Sequence, residues 1–113
     1  MYGGTYFFEA EVFKALAHPT RIQILQLLRD GERCVCEIVP ALKMEQPNVS
    51  RHLQILKKEG ILSSYKDGLR VIYSVNDPKV FQVLDLCQEL LKNYWEKRHK
   101  TLAMGYDLHV GSQ

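Results

Sequence analysis

The 113-residue sequence contains only three cysteines, Cys34, Cys36 and Cys87. So sparse and odd a set, in a chain that opens without an apolar leader, argues against a disulfide-stapled secreted scaffold, and reduced thiols in the cytoplasm are expected. No apolar run approaches the roughly 20 residues of a membrane span, so a soluble protein with no membrane partner is expected. Internal repeats, low-complexity tracts and Gly/Ser/Pro-rich linkers are all missing. That leaves a single domain over 1–113, with loose ends expected at about 1–5 and 105–113. Enzyme signatures are missing as well. There is no phosphate-binding loop, no Cys-x-x-Cys in a βαβ setting and no visible pair of nucleophile and base, so neither an enzyme nor a catalytic cofactor is expected.

What is present is a hydrophobic fraction of 46%, enough for a packed core, and a formal charge of only +2. The charge is unevenly spread. Gln46 to Val75 holds Arg51, Lys57, Lys58, Lys66 and Arg70 against Glu59 and Asp67. An excess of this kind suits a surface that faces a polyanion, although a solvated basic face would also produce it.

The periodicity predicts helices first. Phe8, Val12, Phe13, Leu16 and Ala17 recur at three-and-four spacing over Tyr6 to Ala17, and His18-Pro19 ends that helix and starts the next. The second helix is expected to run to about Arg29 with Ile22, Leu25 and Leu28 inward, closed by Asp30-Gly31. Val35, Ile38, Val39 and Leu42 mark a short third helix in which Pro40 suggests a kink. In the fourth, Val49, Leu53 and Leu56 form the inward stripe, Met44 and Val49 a staple across the start, Pro47 lies in the first turn, and Gly60 stops it. The period then drops to 2 in Ile61 to Tyr65 and Val71 to Val75, separated by a segment whose Asp67-Gly68 pair signals a hairpin. A long last helix is expected from Lys79 to about Lys100. The predicted fold is mostly α with a β-hairpin, in the order α-α-α-α-β-β-α.

Two short helices joined by Lys43-Met44-Glu45 have the layout of a helix-turn-helix, and the following hairpin makes it a winged one. The N-terminal half of the second helix then offers Gln46, Asn48, Ser50, Arg51 and His52 to base edges and phosphates, and the hairpin tip offers Lys66 and Arg70.

At this point the sequence resembles a known family. Phe13 to Leu25 looks like the opening signature of ArsR/SmtB repressors, Glu45 to Leu53 like their recognition helix, and Gly60-Ile61-Leu62 through Gly68 to Tyr73 like their wing, with the likeness spanning about 8–98. The resemblance implies a DNA-binding repressor with base-reading positions at Gln46, Ser50 and Arg51 and with Asn48 and His52 beside them. Glu45 stands where the family often has a serine cap. The resemblance also implies a homodimer paired through the first and last helices. The aromatic and apolar surplus in Tyr6, Phe7, Phe8, Phe13, Leu84, Leu91, Tyr94 and Trp95 agrees with it. Such a dimer sets two recognition helices about one DNA turn apart and reads an inverted repeat in double-stranded DNA.

Cys34-Val35-Cys36 opens the third helix. Inside a regular helix, side chains two apart diverge by about 200°, so both sulfurs reach one ion only where the segment is frayed or extended. By resemblance, Glu32 to Ile38 is similar to the inducer motif of the arsenic- and cadmium-type members. The arsenic type's third cysteine falls here on Val39, and the cadmium and lead type's N-terminal cysteines have no counterpart in 1–10. Cys87 is the remaining third candidate. Asp85-Leu86-Cys87 resembles half of the family's last-helix zinc site, but the other half falls on Arg98 and Thr101, with His99 out of register. His18, His99 and His109 are lesser candidates. The expected inducer is As(III) or Sb(III), followed by Cd(II), Pb(II) or Zn(II). The alternatives are a redox or sulfur switch at the paired thiols, despite a spacing that strains a disulfide, and a dimeric interaction module without sensing.

Overall fold

The computed structural model describes residues 6–103, with side chains to residue 98. The chain divides into two units, one ending at Phe81 and the other beginning at Gln82. In the first, α1 (Phe7–Leu16), α2 (Pro19–Leu27), β1 (Arg33–Cys34), α3 (Val35–Leu42), α4 (Gln46–Lys58), β2 (Leu62–Asp67) and β3 (Arg70–Val75) follow in order, and α5 (Lys79–Ala103) starts there and supplies the second.

Local chemistry sets the boundaries. His18 is the N-cap of α2, its Nδ1 accepting the Thr20 N–H at 3.1 Å, and Pro19 occupies the first turn, where its missing N–H costs nothing. At the end of α4, Gly60 takes φ 79, which lets its own N–H reach the Lys57 carbonyl at 3.0 Å and the Ile61 N–H reach that of Leu56 at 3.0 Å. This reversal satisfies carbonyls that the helix end would otherwise leave open.

The core of the first unit is where these helices meet the sheet. Ile24, Leu25, Ile38, Val49, Leu53 and Leu56 are fully buried, with Leu28, Leu62, Ile72 and Tyr73 nearly so. Each aliphatic side chain so removed from water contributes about 1.5–3 kcal/mol. The expected inward stripe of α4 is therefore observed. In α2 the stripe is corrected: Ile22 is exposed and Ile24 takes its place beside Leu25 and Leu28. On α1 only Ala15 and Leu16 are buried, while Phe7, Phe8, Val12 and Phe13 are exposed.

The sheet has three strands, not two. Its order is β1-β3-β2, all antiparallel, with Arg33 opposite Tyr73 and Cys34 opposite Ile72. A two-residue strand has no periodicity, which is why β1 leaves no trace in the pattern. The hairpin is longer and tighter than expected: Asp67 pairs with Arg70 across a turn of Gly68 and Leu69, with Gly68 at φ 65. In the second unit, Val83, Leu86, Leu90, Leu91, Tyr94 and Trp95 of α5 are all exposed. No helix among the described residues is long and apolar enough to cross a membrane.

Candidate nucleic-acid interface

The turn between α3 and α4 is closed by Lys43, whose left-handed φ of 55 directs its N–H to the Val39 and Pro40 carbonyls. The chain thus reverses within three residues, as the sequence predicts. Glu45 is the N-cap of α4 but makes no side-chain capping bond, so the acid does not replace the serine in that role.

With Val49, Leu53 and Leu56 anchored in the core, the opposite side of α4 is polar. Gln46 and Arg51 are exposed, and Asn48 and Ser50 are half-buried. Arg51 donates to Asn48 Oδ1 at 3.1 Å. Two residues absent from the expected set join this surface. Gln54 donates to Tyr73 Oη at 3.3 Å and Lys57 to Ser64 Oγ at 2.8 Å, tying α4 to β3 and β2. Their signal was available, because Gln46, Ser50 and Gln54 are spaced by four and share one helix face.

His52 is corrected. It is only 9% exposed and its ring lies 4.3 Å from that of His18, so it faces the interior and not a duplex. The reason is its three-residue spacing from Val49, which places it on the inward side. Burial first, and then the nearby charges of His18, Arg21 and Arg51, hold its pKa below the ordinary histidine value.

On the wing, Lys66 is exposed with no ion pair among the described residues, whereas Arg70 lies 3.6 Å from Asp67 across the turn. A groove of about 480 Å³ separates the wing from the recognition helix, lined by α3, α4 and β3 residues that include Gln46, Ser50 and Arg70.

The first two cysteines form one wall of that groove. Cys34 is the N-cap of α3 with extended backbone (φ −71, ψ 145), so the divergence of side chains inside a helix does not apply, and the extended start that a shared site requires is present. Its Sγ accepts the Cys36 N–H at 3.0 Å while its own N–H donates to Glu37 Oε1 at 2.9 Å, a reciprocal capping box with sulfur in place of oxygen. Cys34 and Cys36, expected as reduced thiols, are instead joined as a disulfide with Cα atoms 5.0 Å apart, inside the usual range despite their spacing. Cys34 is 1% exposed and Cys36 is exposed. A second strap lies beside the β1 ladder: Tyr65 Oη on β2 donates to Glu32 Oε2 at 2.6 Å, and this hydrogen bond raises the Tyr65 pKa.

Cys87 lies on α5 in the second unit and is exposed. Among the described residues no three His, Cys, Asp or Glu side chains group as metal ligands, His18 and Cys87 included. The side chains of His99 and Thr101, and all of His109, lie outside the described residues.

The family described as "Bacterial regulatory protein, arsR family" matches residues 18–64, from the start of α2 into the wing. An uncharacterized HTH-type transcriptional regulator of Methanocaldococcus jannaschii is 46% identical over 82 residues, 72% of this chain and 92% of its own. The crystal structure of a Mycobacterium tuberculosis protein superposes with a TM-score of 0.76 at 34% identity, covering 86% of this chain and 98% of that one. A homodimeric winged helix-turn-helix DNA-binding domain from Mycobacterium bovis, described as a possible ArsR-family regulator, gives 0.70 at 36% identity over 80% of this chain and 83% of its own. Fold, turn, wing and these likenesses agree, and the chain belongs to the arsR family of winged helix-turn-helix transcriptional regulators.

Proposed function

We propose that the protein is a cytoplasmic homodimeric repressor that reads an inverted repeat in double-stranded DNA and lets go of it when the Cys34/Cys36 pair changes state. The family is one of DNA-binding regulators and not of enzymes. Gln46, Asn48, Ser50 and Arg51 read the major groove, and Lys66 and Arg70 hold the backbone beside it. The exposed apolar residues of α1 and α5 supply the dimer surface, with the two units of each chain acting as one domain.

The observation that carries the switch is the position of the cysteines: one is a strand residue of the wing sheet, and both border the groove between wing and recognition helix. The sequence ranks arsenite first among signals. The pair as it stands favours dithiol and disulfide chemistry, because two sulfurs suffice for it. A peroxide oxidises one thiolate to a sulfenic acid and leaves as the alcohol or water. The second thiol then displaces water, and two electrons and two protons have passed from the dithiol to the peroxide. A reduced form of the regulator HlyU from Vibrio cholerae is among the structural neighbours, at 30% identity and a TM-score of 0.66.

A thiophilic ion is the second reading, favoured by the arsenic resistance regulator ArsR1 of Pseudomonas putida, 45% identical over 75 residues. Cys34 and Cys36 supply two thiolates. Trivalent arsenic takes three, and antimonite, cadmium, lead and zinc likewise require ligands beyond this pair. The test is release of a duplex, selected from a random pool, titrated with arsenite, antimonite, cadmium, lead, zinc and peroxide. Release by peroxide, reversed by dithiothreitol and lost in Cys34→Ser and Cys36→Ser, is expected. Release by arsenite or another of these ions and not by peroxide establishes the second reading, and release by none of them removes the pair from the mechanism.

A further inference from the structure

The disulfide has one open side and one closed side, and the open side faces a cavity of ligand size. We infer that Cys36 is a thiolation site, at which a small anionic thiol seated in the groove between recognition helix and wing forms a mixed disulfide. The inference rests on the thiol-switch reading above and adds the identity of the attacked sulfur and the class of compound that reaches it.

Access decides which sulfur reacts. Both line the groove, but Cys34 is 1% exposed while Cys36 is exposed. An incoming thiolate therefore attacks Cys36 Sγ, the bond between the two cysteines breaks, and the electron pair leaves on Cys34. The product is one mixed disulfide at Cys36 and one thiolate at Cys34, with no net oxidation. The leaving group is well placed. The Cys36 N–H that already donates to Cys34 Sγ at 3.0 Å, at the positive end of α3, stabilises the sulfur when it becomes charged. The same site is reached from the reduced form, where the Cys36 thiolate attacks a low-molecular-weight disulfide and expels one thiolate.

The groove sets the class of thiol. At about 480 Å³ it is in the range of small-molecule sites. Beside Cys36 its polar lining is Gln46, Ser50, Gln54 and Tyr73, and Arg70 alone among the described lining residues is charged. Amides and hydroxyls with one guanidinium suit a carboxylate-bearing, peptide-like thiol better than a cationic amine. A thiol held there occupies the space between the two elements that must straddle a DNA backbone.

Glutathione disulfide and cystamine are the probes, applied to Cys34→Ser, in which serine keeps the cap and the product cannot be resolved internally. Peptide mass mapping follows Cys36, with Cys87, exposed in the single chain, as the control; the readout is the ratio of glutathione to cystamine labelling at each cysteine, so that cover of α5 in a dimer does not decide it. Glutathione is expected to label Cys36 ahead of Cys87 and cystamine to show less preference. Arg70→Ala should narrow the difference, by up to about fivefold for an exposed ion pair. Equal labelling of the two cysteines by both probes, or none at Cys36, overturns the inference, and release of DNA from the unsubstituted protein by peroxide in that case leaves the switch intact. Selective labelling of Cys36, with no DNA release from the unsubstituted protein by either glutathione disulfide or peroxide, supports the site and refutes the switch.

Discussion

Replacing Lys66 by alanine isolates the wing's part in holding DNA. Lys66 is exposed and, among the described residues, pairs only in the strand ladder, opposite Val71, so its removal costs the fold little. If it neutralises one phosphate per subunit, a dimer loses two such contacts. Each contributes about 0.9 to the slope of log affinity against log salt. The slope should therefore flatten by about 1.8, so that between about 50 and about 200 mM salt the parent loses about twelvefold more affinity than the variant. The loss should be the same for a selected duplex and for an unrelated one, because a phosphate contact carries no sequence information. Asp67→Asn gives the opposite sign: it removes an anion from the wing tip and frees Arg70 from its 3.6 Å partner. Fluorescence anisotropy across a salt series measures both. An unchanged slope in Lys66→Ala, with the parent slope steep, would refute the placement of the wing on the backbone.

Arg51→Ala should behave differently, losing about 1–3 kcal/mol on the selected duplex and little on unrelated DNA, as competition binding will report. His52 makes stability depend on pH. Its pKa is held below the unfolded value of about 6.5, so the unfolded chain binds the proton first. Stability is complete above that value and falls as pH drops from it toward the folded pKa. His52→Leu should remove that component, seen as a smaller loss of Tm between about pH 7.5 and about pH 5.5 than the parent shows. Leu91→Glu charges the exposed face of α5 and should convert the proposed dimer to a monomer in sedimentation velocity, weakening DNA binding with it.

Much of this organisation was legible because it rests on period and punctuation. The spacing of Val49, Leu53 and Leu56, the stop at Gly60 and the change to alternation after it place α4 and the wing within a residue or two. The misses have physical causes. Ile22 and Ile24 are both apolar on a short helix, and only packing decides which one turns inward. His52 is polar by type but inward by position, and a list built on residue chemistry keeps it where helix geometry excludes it. The strand β1 and the Tyr65 to Glu32 contact join residues more than thirty apart in sequence, and no local pattern records such pairing. The cysteine pair was legible in part, since a helix start is where the segment can be extended, and Cys34 is the extended residue before α3.

Those long-range contacts determine where a signal from the cysteines can go. The junction of α3 and α4 is held by Ile38, Val49, Leu53 and Leu56, all fully buried, at about 1.5–3 kcal/mol each. A change at two sulfurs, which couples to binding by about 1–3 kcal/mol in a typical allosteric protein, is too small to open that core. The attachment of the cysteine segment to the wing is much weaker. Its polar contacts among the described residues are a two-residue strand and one exposed side-chain hydrogen bond, each bond contributing about 0.5–1.5 kcal/mol. Energies of that size are comparable with the signal, so the wing should respond while the recognition helix stays in place. Amide exchange in the oxidised and reduced protein should then differ in β1 and β3 and agree in α4, and Tyr65→Phe should shift the wing in both states. Equal protection throughout the wing together with increased exchange in α4 would show that the signal takes the route through the helical core instead.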